Sequence, residues 1–432
     1  MATGSQEGGI IMFVWKARYT AAMILFLTWF LYYIERMVIA IALPYIAIDF
    51  NLSAVAMGGV ISAFFAGYSI FQFLGGIIAD KFGPRKVMTF GLVWWSIFTA
   101  ITGFVSSLSS LIAVRFVFGI GEGVFPPASW KSIASWFPKK DRGTANAFMM
   151  ASSAFGPAIA PLIAVKIMAA WGWRPVYYIA FIPGLLIAAW IWWGLPDDPS
   201  KKKGITRQEL AEINNGETDQ SISEAKKLGI VEVLKVSAVW QCFLILFFYN
   251  MAMWGFLSWL PSYLVQARGF SMAQMGIAAS LPFLAATVGL LLGGWLSDNV
   301  FMNNRKMPII VFLILGGACL YLTYIAETTQ MVIICQTLAG GLMFMGGGAF
   351  WAVPMTLLSK EVCGRGMGLI NTAGQLAGLL SPIIMGYLIS ASDGSFYSAF
   401  LFLVGNCVTA AIFASMLKRR KDGENTNCRE CP

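Results

Sequence analysis

The sequence predicts an all-α membrane protein of twelve transmembrane helices in two pseudo-symmetric six-helix bundles, and three observations carry that prediction. The 432 residues are 58% hydrophobic and 12% charged, with a mean hydropathy of +0.71. A soluble domain needs a polar exterior and cannot hide so much apolar surface, whereas a bilayer supplies an apolar exterior. The apolar residues fall in unbroken runs near the about 20 residues that one helical crossing requires. Membrane β-strands would alternate apolar and polar residues instead. The third observation is that paired short motifs recur six crossings apart.

Residues 1–19 read as a cytoplasmic tail carrying Lys16 and Arg18. The N-terminal bundle, 20–195, holds crossings expected at 20–44, 54–79, 87–105, 108–136, 144–170 and 175–195. Residues 196–236 are too polar to cross a bilayer, with Lys201, Lys202, Lys203, Asn214, Asn215 and scattered glutamates. They read as a cytoplasmic linker, with room for a short surface helix. The C-terminal bundle, 237–417, holds crossings at 238–265, 272–296, 308–326, 331–358, 367–389 and 396–417, before a cytoplasmic tail at 418–432.

Loop charges set the orientation. One side collects Lys16, Arg18, Lys81, Arg85, Lys86, Lys139, Lys140, Arg142, the linker lysines, Arg305, Lys306, Lys360, Arg365 and the basic run from Lys418 to Lys421; the other has Arg174 and Arg268. Both termini are therefore cytoplasmic, which demands an even number of crossings. The formal charge of +9 arises from these short loops, so it reads as membrane topology and not as a nucleic-acid surface. The halves repeat weakly. Gly75-Gly76 with Asp80 closes the second crossing and Gly293-Gly294 with Asp298 the eighth; Arg142-Gly143 opens the fifth and Arg365-Gly366 the eleventh. Two related halves on a long linker suggest a transporter with a central site between them.

Of the seven cysteines, Cys242, Cys319, Cys335 and Cys407 lie in apolar runs and read as small hydrophobes. Cys428 and Cys431 form a C-x-x-C near the end of the chain with no second pair, which reads as tail and not as a metal site. No signal-peptide pattern is present. An enzyme should show a nucleophile with its base or a metal cluster. The chain has no histidine, and neither arrangement is visible.

The run Gly76-Ile77-Ile78-Ala79-Asp80-Lys81-Phe82-Gly83-Pro84-Arg85-Lys86 closely resembles the loop signature of the major facilitator superfamily, and implies that family's fold. Tyr33-Ile34-Glu35-Arg36, followed by Ala40 and Pro44, resembles the first-helix signature of its anion:cation symporter family. That family includes bacterial sugar-acid/proton symporters, sialic-acid transporters and vesicular glutamate transporters. Arg115, Gly119, Glu122 and Pro126 in the fourth crossing match it as well, and Trp259-Leu260-Pro261-Ser262-Tyr263-Leu264 is similar to a further family feature. The resemblance covers nearly the whole chain. It implies a bacterial inner (plasma) membrane protein, monomeric, with Tyr33, Arg36, Tyr68, Ser153, Trp351 and Asn371 lining a substrate cavity. Two positions depart from the family pattern: Glu35 stands where Asp is usual, and Ser153 where sugar-acid transporters often carry Gln.

Charges inside a bilayer cost roughly 2.5–3.5 kcal/mol each, so embedded ones are functional candidates. They are Glu35, Arg36, Arg115, Glu122, Lys131 and Lys166, all in the N-terminal half. Lys131 and Lys166 sit near helix ends and can snorkel to an interface. Glu35 and Glu122 lie mid-helix, and in a chain without histidine a carboxylate must carry any coupled proton. Arg36 and Arg115 offer planar forks that match a carboxylate, which favours an anionic substrate. Arg115 and Glu122 share a helix face about 10 Å apart, so Arg115 is expected to pair with Glu122 in one state and to be released in another. Tyr68 and Gln72 share a face of the second crossing, Asn371 and Gln375 a face of the eleventh, and Tyr249 and Asn250 offer hydrogen bonds from the seventh.

The sequence thus points to a proton-coupled symporter that imports a small organic anion by alternating access, favouring a sugar acid such as an aldonate, hexuronate or aldarate. No cofactor is expected beyond protons as the coupling ion. Alternatives are an organic-anion exchanger or uniporter, a carrier of another carboxylate or sulfonate, a drug exporter, and a receptor. Two central arginines count against the exporter, and a linker too short for a signalling domain counts against the receptor.

Overall fold

A computed structural model describes residues 15–138, 140–214, 230–301, 304–358 and 360–417. Lys139, most of both tails with Cys428 and Cys431, linker residues 215–229, and the side chains of Lys360 and Arg365 lie outside that description. Among the described residues every regular element is helical. They are α1 (Ala17–Phe50), α2 (Ala54–Phe82), α3 (Pro84–Thr102), α4 (Leu108–Trp136), α5 (Arg142–Trp171), α6 (Arg174–Gly194), α7 (Arg207–Asn214), α8 (Ile230–Leu234), α9 (Ser237–Ser262), α10 (Met272–Asn299), α11 (Lys306–Ile325), α12 (Thr329–Phe350), α13 (Ala352–Leu357), α14 (Lys360–Ala391) and α15 (Tyr397–Ser415).

Among the described residues eleven helical spans are long and apolar enough to cross a bilayer. The twelfth crossing is α3, which has 19 residues and turns Thr89, Ser96, Thr99 and Thr102 into the protein. Three expected boundaries move for identifiable reasons. The first crossing does not stop at Pro44 but continues to Phe50, because a membrane helix tolerates an internal proline when its neighbours cover the freed carbonyl. It stops at Asn51, whose backbone is left-handed (φ 49°) and whose N–H bonds back to Ala47 and Ile48. The tenth crossing is broken at Trp351 into α12 and α13. The seventh ends in a π-turn over Tyr263–Ala267.

The helices pair in a pattern that repeats after six crossings: α2 with α4 and α10 with α12, α1 with α5 and α9 with α14, α3 with α6 and α11 with α15. Glycines bring the first pairs close. A Cβ on Gly67 would lie 2.1 Å from the Phe116 carbonyl oxygen, and one on Gly293 would lie 2.1 Å from that of Met345. Small residues let membrane helices approach in this way.

Two further pairs, α2 with α14 and α5 with α10, join the segments before and after the linker. Their close backbone contacts cluster at one end, here called the Asn51 end. Gly58 abuts the Pro382 carbonyl, Gly386 abuts that of Ala54, and Gly276 packs on Val165 and Pro161. At the opposite Gly83 end, Gly83 adopts φ +85° and the Asp197 carboxylate occupies the space a Cβ would need. Asp197 Oδ1 there accepts the Arg85 backbone N–H at 2.6 Å, capping α3.

Loop charges act locally. At the Asn51 end, Arg174 and the Trp173 indole both donate to Asp49, at 3.1 and 2.8 Å. Arg268 donates to the carbonyls of Ala326 (2.7 Å), Thr323 (3.0 Å) and Tyr324, and to the Tyr263 hydroxyl (2.6 Å). It thereby covers carbonyls that the end of α11 leaves bare. At the Gly83 end, Glu209 of α7 accepts the backbone N–H groups of Ala17 and Arg18 at 3.1 and 2.9 Å. It caps α1 and ties the linker to it.

Candidate functional site

A cavity of about 310 Å³ lies between α1, α2, α4, α5, α9, α10, α12 and α14. Its mouth faces the Gly83 end, where Trp130 and Trp351 are 44% and 37% exposed. Its far side is shut by the seam at the Asn51 end. Nine of the ten residues expected from sequence to contact substrate line it: Tyr33, Arg36, Tyr68, Gln72, Ser153, Tyr249, Trp351, Asn371 and Gln375, the exception being Arg115. Asn250 lines it as well.

Arg36 is the only cationic side chain among the described lining residues. Aromatic rings surround its guanidinium: the ring centres of Trp254, Phe64, Phe65 and Tyr68 lie 4.5, 4.7, 4.8 and 5.1 Å from its central carbon. Such faces attract a cation without using its N–H groups. Nη1 donates to the Tyr32 hydroxyl at 3.2 Å, while Nε and Nη2 are buried without a partner. A guanidinium with two unmet donors on a cavity wall is equipped to take one carboxylate.

A few hydrogen-bonding groups interrupt an otherwise largely apolar lining. Gln72 donates to the Tyr68 hydroxyl at 3.1 Å, and Gln375 keeps a buried Oε1 free. Asn250 uses Nδ2 on the Leu246 carbonyl at 2.9 Å, leaving its oxygen available. The Tyr249 hydroxyl sits where a Cβ on Gly347 would lie only 2.4 Å away, so glycine there makes room for the phenol. Trp29 meets Tyr33 at 5.6 Å and Trp130 at 6.3 Å, both tilted, giving the N-terminal wall an aromatic face.

The two carboxylates and the second arginine lie behind this wall. Glu35 and Glu122 are 2% and 0% exposed. Glu35 Oε2 accepts the Thr99 hydroxyl at 3.2 Å and its Oε1 has no partner. Neither oxygen of Glu122 has one. Arg115 does not line the cavity. Its guanidinium packs over the rings of Phe118 (4.4 Å) and Phe64 (5.3 Å), and its Nε is unpaired. Both arginines thus pack against the Phe64 ring, at 4.7 and 5.3 Å. The expected Arg115–Glu122 pair is not formed in this conformation.

The loop motif is held together at the Gly83 end. Asp80 pairs with Lys131 at 2.8 Å, and Lys131 also donates to the Ala79 carbonyl at 3.1 Å. Gly76 packs beside Pro127, Lys81 lies over the Phe82 ring at 5.3 Å, Arg85 lies over Trp192 at 5.0 Å, and Lys86 is exposed. In the second half Asp298 pairs with Arg305 at 3.4 Å. Lys166 is exposed near the Asn51 end of α5.

Sequence reading missed the neighbours of the charged groups: Tyr32, Phe64, Phe65 and Trp254 around Arg36, and Thr99 on Glu35. Tyr32 was legible only as the neighbour of Tyr33. Trp254 lies one turn beyond Asn250, so helical spacing alone places both on one face. Thr99 carries no signal of its own, because a hydroxyl in an apolar helix usually bonds its own backbone, as this one also does to the Trp95 carbonyl at 3.0 Å.

A bundle of membrane-spanning helices around a central cavity, open at one end and carrying an arginine and several amide and hydroxyl groups on a largely apolar lining, defines a membrane transporter, not an enzyme. The chain belongs to the Major Facilitator Superfamily, whose family model matches residues 25–382. It is 32% identical over 93% of its length to a protein named as a probable sulfoacetate transporter of Cupriavidus necator, covering 95% of that protein. It is 32% identical over 92% of its length to a probable galactarate/D-glucarate transporter of Bacillus subtilis, covering 91% of it. A hexuronate transporter of the same organism is 28% identical over 93% of this chain and 94% of its own. Among solved structures, the fold matches an inward-facing, occupied bacterial homologue of the lysosomal transporter Spinster at TM-score 0.76 and 20% identity, covering 92% of this chain and 96% of that one. It also matches a D-xylose-proton symporter at TM-score 0.75 and 16% identity, covering 93% and 98%.

Proposed function

We propose that this transporter imports a small organic anion, a sugar acid, across the bacterial inner membrane together with protons, with both termini in the cytoplasm. The observation that carries the reading is Arg36 on the cavity wall, with two donors unmet and no protein carboxylate to meet them. The names of the relatives, which include carriers of sugar acids and of sulfoacetate, support an anionic substrate. One lining cation suits one carboxylate, so a monoanion such as an aldonate or hexuronate fits better than a dianionic aldarate or sulfoacetate. The hydroxyls of the sugar chain would meet Gln72, Asn250, Asn371, Gln375 and the tyrosines, with Trp351 and Tyr33 as flat walls. Ser153, being short, leaves width at the α5 side.

Glu122 and Glu35 are assigned the coupled proton. A carboxyl group without a fixed donor can load and release a proton without breaking other bonds, and Glu122 is in that position at both oxygens. Arg115, which does not line the cavity, acts on Glu122 electrostatically and not on the substrate. Alternating access would follow from opening the seam at the Asn51 end while the mouth at the Gly83 end closes.

The test is uptake of labelled aldonates, hexuronates, aldarates and sulfoacetate into proteoliposomes, with and without an inward-acid pH gradient. Gradient-driven accumulation of a monoanionic sugar acid is expected. Uptake indifferent to the gradient would move the assignment to anion exchange. Absence of uptake across the whole panel would remove the anion reading.

A further inference from the structure

A cluster of cations at the Gly83 end sits directly above a lipid-facing groove, and the transport site uses neither. We propose that together they bind an anionic phospholipid, with its phosphate on the cations and an acyl chain along the groove. The groove, about 350 Å³, runs between α3 and α6, with Phe90 and Val93 on one wall and Leu185 and Trp192 on the other. Its floor is Ala188 and Ala189, whose short side chains create the indentation. Trp193 belongs both to this groove and to a second cavity of about 500 Å³ lined by Arg85, Lys201, Lys202 and Lys203, so the two adjoin at its ring.

The charge balance in that second cavity favours an anion. Two carboxylates, Asp197 and Asp198, line it too. Both are engaged by the protein: Asp197 accepts the Arg85 backbone N–H, and Asp198 accepts that of Ser200 at 2.9 Å. The Ser200 hydrogen bonds hold the Asp198 carboxyl below the usual carboxylate range. Lys202 spends one donor on the Gly194 carbonyl at 2.7 Å. Lys201 and Lys203 are exposed, and Arg85, lying over Trp192, keeps a buried Nε without a partner. Four cations outnumber two committed carboxylates.

A soluble anion would need only the cations. The apolar groove beneath them, and a Trp193 ring that is 77% exposed, are what a lipid needs in addition. Tryptophan favours the membrane interface, and clustered basic residues at a membrane surface attract acidic headgroups.

The experiment is native mass spectrometry of the full chain, delipidated in detergent, with phosphatidylglycerol or phosphatidylcholine of identical acyl chains. Phosphatidylglycerol should be retained in preference. The Lys201→Gln/Lys203→Gln variant should weaken its retention roughly tenfold. Ala189→Trp fills the groove with every cation in place and should also abolish the preference. Equal retention of the two lipids, or undiminished phosphatidylglycerol binding in the double lysine variant, would overturn the proposal. So would its displacement by millimolar inorganic phosphate, which would make this a free-phosphate site. The readout is lipid retention, so it stands or falls separately from the transport reading.

Discussion

The guanidinium carbon of Arg36 in α1 lies 4.5 Å from the centre of the Trp254 ring in α9. These helices lie on opposite sides of the linker. The group assigned to the substrate is thus also a point where the two halves meet. Phe65 of α2 reinforces the contact, with its ring edge-on to Trp254 at 5.1 Å. A ligand that recruits the free edge of Arg36 acts on a contact between the two halves.

Arg36→Lys keeps the charge but loses the fork, and should weaken anion binding roughly ten- to a hundredfold, as expected for losing charged hydrogen bonds worth about 1.5–3 kcal/mol. Trp254→Ala removes a cation–π contact worth about 0.5–2 kcal/mol and should weaken binding less. Calorimetric titration of both variants with the transported anion separates the two roles. Equal losses would mean that the ring, not the fork, holds the ligand site together.

Glu122→Gln should abolish accumulation driven by a pH gradient while counterflow exchange persists, because a neutral amide cannot carry the proton. Glu35→Ala should lower both activities, since Glu35 also accepts the Thr99 hydroxyl at 3.2 Å and alanine leaves that α1–α3 contact without its acceptor. The two variants are compared in one proteoliposome assay. Intact gradient-driven uptake in Glu122→Gln would place the coupling site elsewhere.

Gly58→Ala and Gly67→Ala should have different consequences although both collide with a carbonyl. The Gly58 Cβ would meet Pro382 across the seam at 2.3 Å, and the Gly67 Cβ would meet Phe116 within the first half at 2.1 Å. Overpacking of this kind costs about 1–3 kcal/mol. In Gly67→Ala the cost falls on the fold and lowers the melting temperature. In Gly58→Ala it can be relieved by opening the Asn51 end. Spin labels at Val55 and Tyr387, both exposed, should then report a longer distance with little change in melting temperature.

Arg268→Gln should lower the apparent melting temperature by several degrees and leave anion affinity unchanged. It strips hydrogen bonds from the carbonyls of Thr323, Tyr324 and Ala326, and unpaired buried polar groups cost about 1–3 kcal/mol. A thermal melt and a binding titration on the same sample check both halves of this expectation.

The sequence by itself determined the class of protein and most of its architecture. Apolar runs set by bilayer thickness fixed the crossings to within a few residues, and the duplicated glycine–aspartate and arginine–glycine pairs revealed the repeat. Where boundaries slipped, as at Pro44 and Trp351, the local residue said only that the helix could break. Neighbouring helices decided that it continued at the first and broke at the second. The scarcity of charge in the apolar runs was enough to single out Glu35, Arg36, Arg115 and Glu122.

Only the tertiary structure decided how those four divide. Arg36 and Arg115 look alike in sequence, each a guanidinium in mid-membrane. Packing puts one on the cavity wall and the other off it, because rotation of a helix about its axis is set by its partners and not by its own residues. The same holds for Trp254, which reaches Arg36 across more than two hundred residues of chain. The cluster of Arg85 with Lys201 and Lys203 likewise exists only because the linker folds back onto the start of α3. Spacing along one helix is a local property that a sequence displays. Which side chains of different helices share a cavity depends on contacts distant in the chain, and those are settled by packing.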